Sequence, residues 1–419
     1  MFALLLLAGA CKSSSGASSS GDTGGSSTTD TRAPGVTSDT IKVGVTYVDL
    51  SSLKDVLNLD LGTYQGAYQA LFDDINAKGG INGRKIEATY APASPVGTEA
   101  TAAACTKLTQ DDPSFVVLGG PIGDSALCYV DTQQTALIGG TMTAEGLAQA
   151  KAPWYSTWAS DDLATDTTRK MLDKGLLDGT FAVVGRADEK ASIEATTLKV
   201  LQDAGKQPAE TAYVTSPSGD VTALNAEIAT IAERLKSEGV DTVVLAGDTI
   251  GNQWLTGAVK TSYRPKLLFM QTSGIDAFAI TPGNDLSILD GVIGGGVYPA
   301  AEGAGTSATT QTKDCFAIQE KAGIVIQDPA TLKVGDTQQY QPSLLACQQV
   351  ELLQKILEKA GTTLDYGTFE AAGNSLTGIT LSGSPDTWNY GAPPSADGDP
   401  PSYLLEWNPA TKRMELAGN

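Results

Sequence analysis

The chain has 419 residues, 41% hydrophobic and 18% charged, a globular composition with a sizeable core and length for two or three domains of about 150 residues. Its formal net charge of −20 argues against nucleic acid and anionic lipid headgroups as partners, because a surface of that sign repels both. It contains no histidine, which excludes Ser-His-Asp and Cys-His catalysis and histidine-based zinc sites; no enzyme activity, metal or cofactor is implied.

The N-terminus reads LLLLAGACKSSSGASSS over residues 4–20. The apolar run before Cys11 is half the roughly 20 residues that span a membrane, but suffices for the core of an export signal. With small residues at Ala8, Gly9 and Ala10, the segment resembles a bacterial lipobox, although no Lys or Arg precedes it. On this reading residues 1–10 are a signal peptide and Cys11 carries the lipid. Residues 11–38 are then a Ser/Gly-rich leash, too poor in apolar side chains to recover its ordering entropy. The expected product is an exported monomer held to the outer face of the cytoplasmic membrane by its lipid alone.

From residue 40 apolar strands alternate with amphipathic helices. IKVGVTYV (41–48) predicts a strand, and residues 62–80 a helix in which Tyr64, Tyr68, Leu71 and Ile75 share one face before paired glycines. Strands follow at RKIEATYA, FVVLGG and TALIGG, with the helical TEATAAACTKLTQ between the first two. A second series begins near 160, with TFAVVG, EATTLKVLQDAG, TAYVTS, the helix VTALNAEIATIAERLKSEG and the strand DTVVLAGD. Continuous apolar strands bounded by glycine, alternating with helices, indicate parallel sheets covered on both faces. A strand at GVIGGGVYP, helices near 310–323 and 343–360, and an antiparallel pair around Asn408-Pro409-Ala410-Thr411 complete the chain. The fold class is α/β, two lobes with additional crossings between them.

Beside Cys11 stand Cys105, Cys128, Cys315 and Cys347, an even number without any C-x-x-C spacing. In an exported chain they read as two disulfides between sequence neighbours, Cys105–Cys128 and Cys315–Cys347.

The stretch DDINAKGGINGRKIE, residues 73–87, resembles the first helix and second strand of type 1 periplasmic binding proteins. Within that class it resembles the substrate-binding components of branched-chain amino-acid ABC transporters. This resemblance implies two Rossmann-like lobes joined by three crossovers that close over a small ligand, with 39–159 and 292–384 forming the N-terminal lobe and 160–291 and 385–419 the C-terminal lobe. The Cys105–Cys128 spacing is similar to a disulfide of that family's N-terminal lobe, and lipid anchoring is usual for its Gram-positive members.

Ligands of open parallel sheets sit beyond the carboxyl ends of the strands. Two loops of the first lobe lie there, GGPIGDSA (119–126) and GGTMTAEGL (139–147). The family binds a carboxylate with hydroxyls from both. Thr143 matches its position, beside Thr141, with Met142 where the family has alanine; Gly123 aligns with the family's serine, and Ser125 lies close by. Each hydroxyl could instead cap a helix. On the opposite lobe an ammonium would be met by Asp161, Asp188 or Asp248, since Ile250, Gly251 and Asn252 occupy the place of the family's acidic residue. The function implied is capture of a small polar solute, an amino acid or a relative, for delivery to an ABC permease. A sensor of the same fold and an exported carboxylate-dependent hydrolase are the alternatives.

Overall fold

The computed structural model describes residues 33–50, 60–94, 99–120, 125–157, 161–217, 219–247, 249–280, 284–298, 309–333, 336–393, 395–400 and 402–418. Cys11, Gly123, Asp248 and most of the loop 48–61 lie outside them. The described part forms two α/β lobes. No helix among the described residues is long and apolar enough to cross a membrane.

The first lobe is built on β1 (Thr40–Val48), α1 (Tyr64–Ala77), β2 (Lys85–Ala93), α2 (Glu99–Thr106), β3 (Val116–Gly119), β4 (Ala136–Gly139), α3 (Ala144–Gln149) and β5 (Trp154–Tyr155). Its five strands are parallel in the order β2-β1-β3-β4-β5. Every residue of β3 and β4 is buried, as expected of strands with helices on both faces. The predicted face of α1 is the buried one, with Tyr64, Tyr68, Leu71 and Ile75 turned inward. Thr63 caps its start by accepting from the Gly66 amide at 2.9 Å. Gly79 and Gly80 end it at φ of 102° and 78°, values that side chains disfavour.

The second lobe follows with α4 (Asp161–Asp173), β6 (Phe181–Arg186), a helical stretch at 190–203, β7 (Glu210–Val214), α5 (Val221–Ser237), β8 (Thr242–Leu245), α6 (Ile250–Ala258), β9 (Lys266–Phe269), α7 (Ser273–Ile280) and β10 (Ile293–Gly296). The chain then returns to the first lobe for α8 (Thr310–Lys321), α9 (Tyr340–Ala360), α10 (Tyr366–Gly373) and the small pair β11 (Ile379–Thr380) and β12 (Thr387–Trp388). It ends with β13 (Tyr403–Asn408) and β14 (Arg413–Leu416). The second sheet has the order β14-β13-β10-β9-β8-β6-β7, parallel except for the antiparallel β13 and β14.

The lobe boundaries fall later than the predicted 291/292 and 384/385. The strand β10 pairs with β9 and β13, so it belongs to the second sheet. Its glycines make room for close packing. A Cβ on Gly295 would collide with Thr167 Oγ1 and lie 2.6 Å from the Met270 carbonyl, and one on Gly294 would lie 2.6 Å from Thr272 Cγ2. The triplet lets α4 and the residues after β9 press onto the strand. Likewise Trp388 and Tyr390 join the first lobe's core, so the last crossing comes after them.

The predicted disulfides are both present. Cys105–Cys128 ties α2 to the helical turn beginning at Ser125, and Cys315–Cys347 joins α8 to α9.

All three crossings sit at carboxyl ends. One leaves β5 for α4, the next leaves β10 for Tyr298, and the third enters β13 at Tyr403, which pairs with Gly296 at the end of β10. Each sheet therefore turns its carboxyl edge toward the hinge. The crossings are bonded to one another: Tyr298 Oη donates to the Thr157 carbonyl at 3.0 Å, and the Tyr298 and Trp388 rings lie 6.3 Å apart. Trp388 in turn stacks on Tyr390. Across the lobes, Tyr403 Oη donates to the Asp386 carboxylate and Lys170 Nζ to Ser402.

Candidate functional site

Both sheets have a crevice where the strand order reverses, between β1 and β3 in the first lobe and between β6 and β8 in the second. At the first crevice the loops are held from beneath by one buried amide, Gln349 of α9. Its Oε1 accepts from Tyr68 Oη at 2.7 Å and its Nε2 donates to the Gly119 carbonyl at 3.0 Å. That carbonyl also accepts from the Gly140 amide at 3.0 Å. Gly119 and Gly139 take φ of 145° and 115°. A Cβ on Gly139 would strike the Gly119 carbonyl oxygen, so the two loops can approach this closely only without side chains there. Trp154 Nε1 donates to the Gly139 carbonyl at 2.8 Å and fixes the second loop from its other side.

That second loop carries Thr141, Met142 and Thr143. Met142 is 2% exposed and joins the lobe's core, so only its backbone remains to meet a solute. Thr141 is partly exposed. Thr143 is the N-cap of α3, with extended φ and ψ of −108° and 155°, and its Oγ1 accepts from the Gly146 amide at 3.0 Å. A threonine hydroxyl has two lone pairs and one proton. Capping takes one lone pair, and the proton has no acceptor among the described residues. Ser125 opens the helical turn Ser125–Leu127 and is partly exposed.

On the second lobe Asp161 is the first residue of α4. Asp188 follows the end of β6, with a side chain 69% exposed, and is already engaged: its Oδ1 accepts from Arg186 Nε at 3.1 Å. Arg186 is the residue that sequence reasoning passed over. It is the last residue of β6, 5% exposed, and its Nη1 donates to the Ser216 carbonyl at 3.1 Å and to Gln253 Oε1 at 3.2 Å. These partners come from the loop after β7 and from α6 after β8, so three neighbouring strand ends converge on one guanidinium. The available signal was an arginine closing the otherwise apolar run FAVVGR.

A separate groove of about 390 Å³ runs between α1, α8 and α9, over Leu71, Ile75, Ile318, Val350 and the Cys315–Cys347 bridge. It covers the C-terminal half of α1, which returns toward the amino edge of the sheet, away from the crevices.

The sequence pattern of the family described as periplasmic binding protein matches residues 40–411, nearly the whole folded part. The chain belongs to the periplasmic binding protein family. Membership makes it a solute-binding protein rather than an enzyme. Among solved structures, a similar fold is found in an ABC-transporter solute-binding protein of Rhodopseudomonas palustris in complex with 4-hydroxybenzoate. It is 16% identical, covers 91% of this chain and 96% of its own, and has a TM-score of 0.68. An ABC-transporter substrate-binding protein of Desulfitobacterium hafniense in complex with Leu is 15% identical, covering 90% and 100%, with a TM-score of 0.61. A possible leucine/isoleucine/valine-binding protein of Rhodopirellula baltica is 14% identical, covering 91% and 97%, with a TM-score of 0.63. A search of curated proteins gave no significant match. At such identities the likeness is one of fold: two α/β lobes of the type 1 periplasmic binding protein class.

Proposed function

We propose that the chain is the extracytoplasmic binding component of an ABC transporter, anchored through an acylated Cys11, and that it captures a small carboxylate-bearing solute between its lobes. Amino acids and aromatic acids are the classes in view. The observation that carries this reading is the pair of carboxyl edges turned to one hinge, with the Thr143 hydroxyl proton uncommitted at the first of them. Thr141 and the backbone at Met142 and Gly123 would complete a cradle for one end of the solute, with Ser125 beside it. The neighbourhood of Asp161, Arg186, Asp188 and Asp248 would meet the other end. The solved relatives bound to leucine and to 4-hydroxybenzoate lend support, since both ligands are small carboxylates.

A thermal-shift panel of amino acids, aromatic acids, short amides and polyols tests it. A true ligand at 100 times its Kd adds about 2.7 kcal/mol to stability. No stabilisation by any member, or hydrolysis of model glycosides or esters, overturns the proposal.

A further inference from the structure

Arg186 is a charge almost completely withdrawn from water, which is costly unless the charge is well paired. Its one ionic partner among the described residues is mostly solvated, since the Asp188 side chain is 69% exposed and meets it only at Nε, at 3.1 Å. Two neutral oxygens, the Ser216 carbonyl and Gln253 Oε1, take both bonds from Nη1. The other terminal nitrogen, Nη2, donates to no described residue, yet it is not among the side-chain atoms sealed from solvent. An otherwise buried guanidinium thus keeps one edge open, at the carboxyl edge of the second sheet beside the crevice between β6 and β8. Three fixed bonds pre-orient the planar fork, so little conformational freedom remains to be lost when an oxyanion docks on the free edge.

We infer that Arg186 grips an anionic oxygen of the captured solute from the second lobe. The transported class is then acids whose carboxylate reaches that lobe, rather than solutes that present an ammonium group there. Asp188 accordingly holds the arginine in place instead of meeting the solute's cation. This deepens the proposed capture function and rests on it.

Matched acid–amide pairs test the assignment by calorimetry on the wild type and on Arg186→Gln: benzoate with benzamide, and glutamate with glutamine, with leucine as the zwitterionic control. The wild type is expected to favour an acid over its amide by about tenfold or more, the scale of a charge-assisted hydrogen bond. Arg186→Gln should weaken the acid to the level of the amide and leave the amide unchanged. Arg186→Lys, which keeps the charge but loses the fork, should retain part of the preference, and it decides the matter if the glutamine variant does not fold. Equal binding of acid and amide by the wild type, tight binding of leucine alone, or an equal loss for both members of a pair in the variant overturns the role of Arg186 while solute capture stands. If none of the five compounds nor any member of the wider panel binds, solute capture itself fails and this inference with it.

Discussion

Tyr390 Oη donates to the Ser156 carbonyl at 2.8 Å, and so bonds the last crossing between the lobes to the first. Both residues are buried, and the tyrosine ring also meets Tyr155 edge-on at 5.9 Å. Tyr390→Phe keeps the ring and removes the bond. Unfolding in denaturant should show a loss of about 1 kcal/mol, the usual net value of one such bond. An unchanged midpoint would mean that the crossings are held together by ring packing alone.

Thr143→Val removes both the cap on Gly146 and the proton offered to a solute. The cap should cost about 1 kcal/mol of stability, and the lost hydrogen bond should weaken solute binding by roughly ten- to a hundredfold. Thr143→Ser keeps both functions and should restore both values. If Thr143→Val lowers the melting temperature but leaves the Kd intact, the hydroxyl is a cap and nothing more.

The disulfides close loops of 23 and 32 residues. On the chain-entropy account each contributes about 3–4 kcal/mol. Replacing Cys315 and Cys347 together by serine should lower the unfolding free energy by that order, and leave solute affinity nearly untouched, because the bridge lies under the helix groove and not at a strand edge. A large change in Kd would contradict this separation.

Glu227 links pH to the loop that seats Arg186. Burial works against its charge, but hydrogen bonds from Ser216 and Thr215 outweigh it and hold the carboxyl at about 2, against an ordinary 4.5. A lowered folded-state value favours the ionised native form. Its contribution is therefore complete above about pH 4.5 and fades as the pH falls through 2. Because the group is partly exposed, the effect should be modest. Glu227→Gln should flatten the decline in melting temperature between pH 4.5 and 2; a parallel decline in both proteins would exclude this coupling.

Partition into detergent tests the proposed anchor. Wild-type protein made in a bacterium with lipoprotein processing should enter the detergent phase, and Cys11→Ser should remain in the aqueous phase. Equal behaviour of the two would remove the lipobox reading.

What could be read from the sequence, and what could not, follows from the range of the interactions concerned. Strands such as Val116–Gly119 and helices such as Val221–Ser237 announce themselves because burial on both faces, or on one, imposes a local pattern. The disulfide pairs were legible from sequence proximity. The sheet that Ile293–Gly296 joins was not, because the strand pattern of GVIGGGVYP does not say that its glycines admit Thr167 and Thr272 of the second lobe. Gln349 was hidden for a similar reason: it lies among apolar residues of one long helix, and its partners Tyr68 and Gly119 are 281 and 230 residues away. For Asp188, expected as a partner for an ammonium, nothing in the run FAVVGR says that the arginine before it is buried and already bonded to its carboxylate.

The position of β13 has a bearing on biosynthesis. It lies between β10 and β14, and so it covers an edge of the second sheet with a segment made only after the whole of α8, α9 and α10. Until residue 403 is available, a nascent or translocating chain carries β10 as an open, glycine-rich edge, ready to pair with any extended segment nearby. A product stopped just short of β13 would have a nearly complete first lobe and an unfinished second one. Such truncated chains should be degraded or aggregate, whereas full-length chains close that edge with their own last strands.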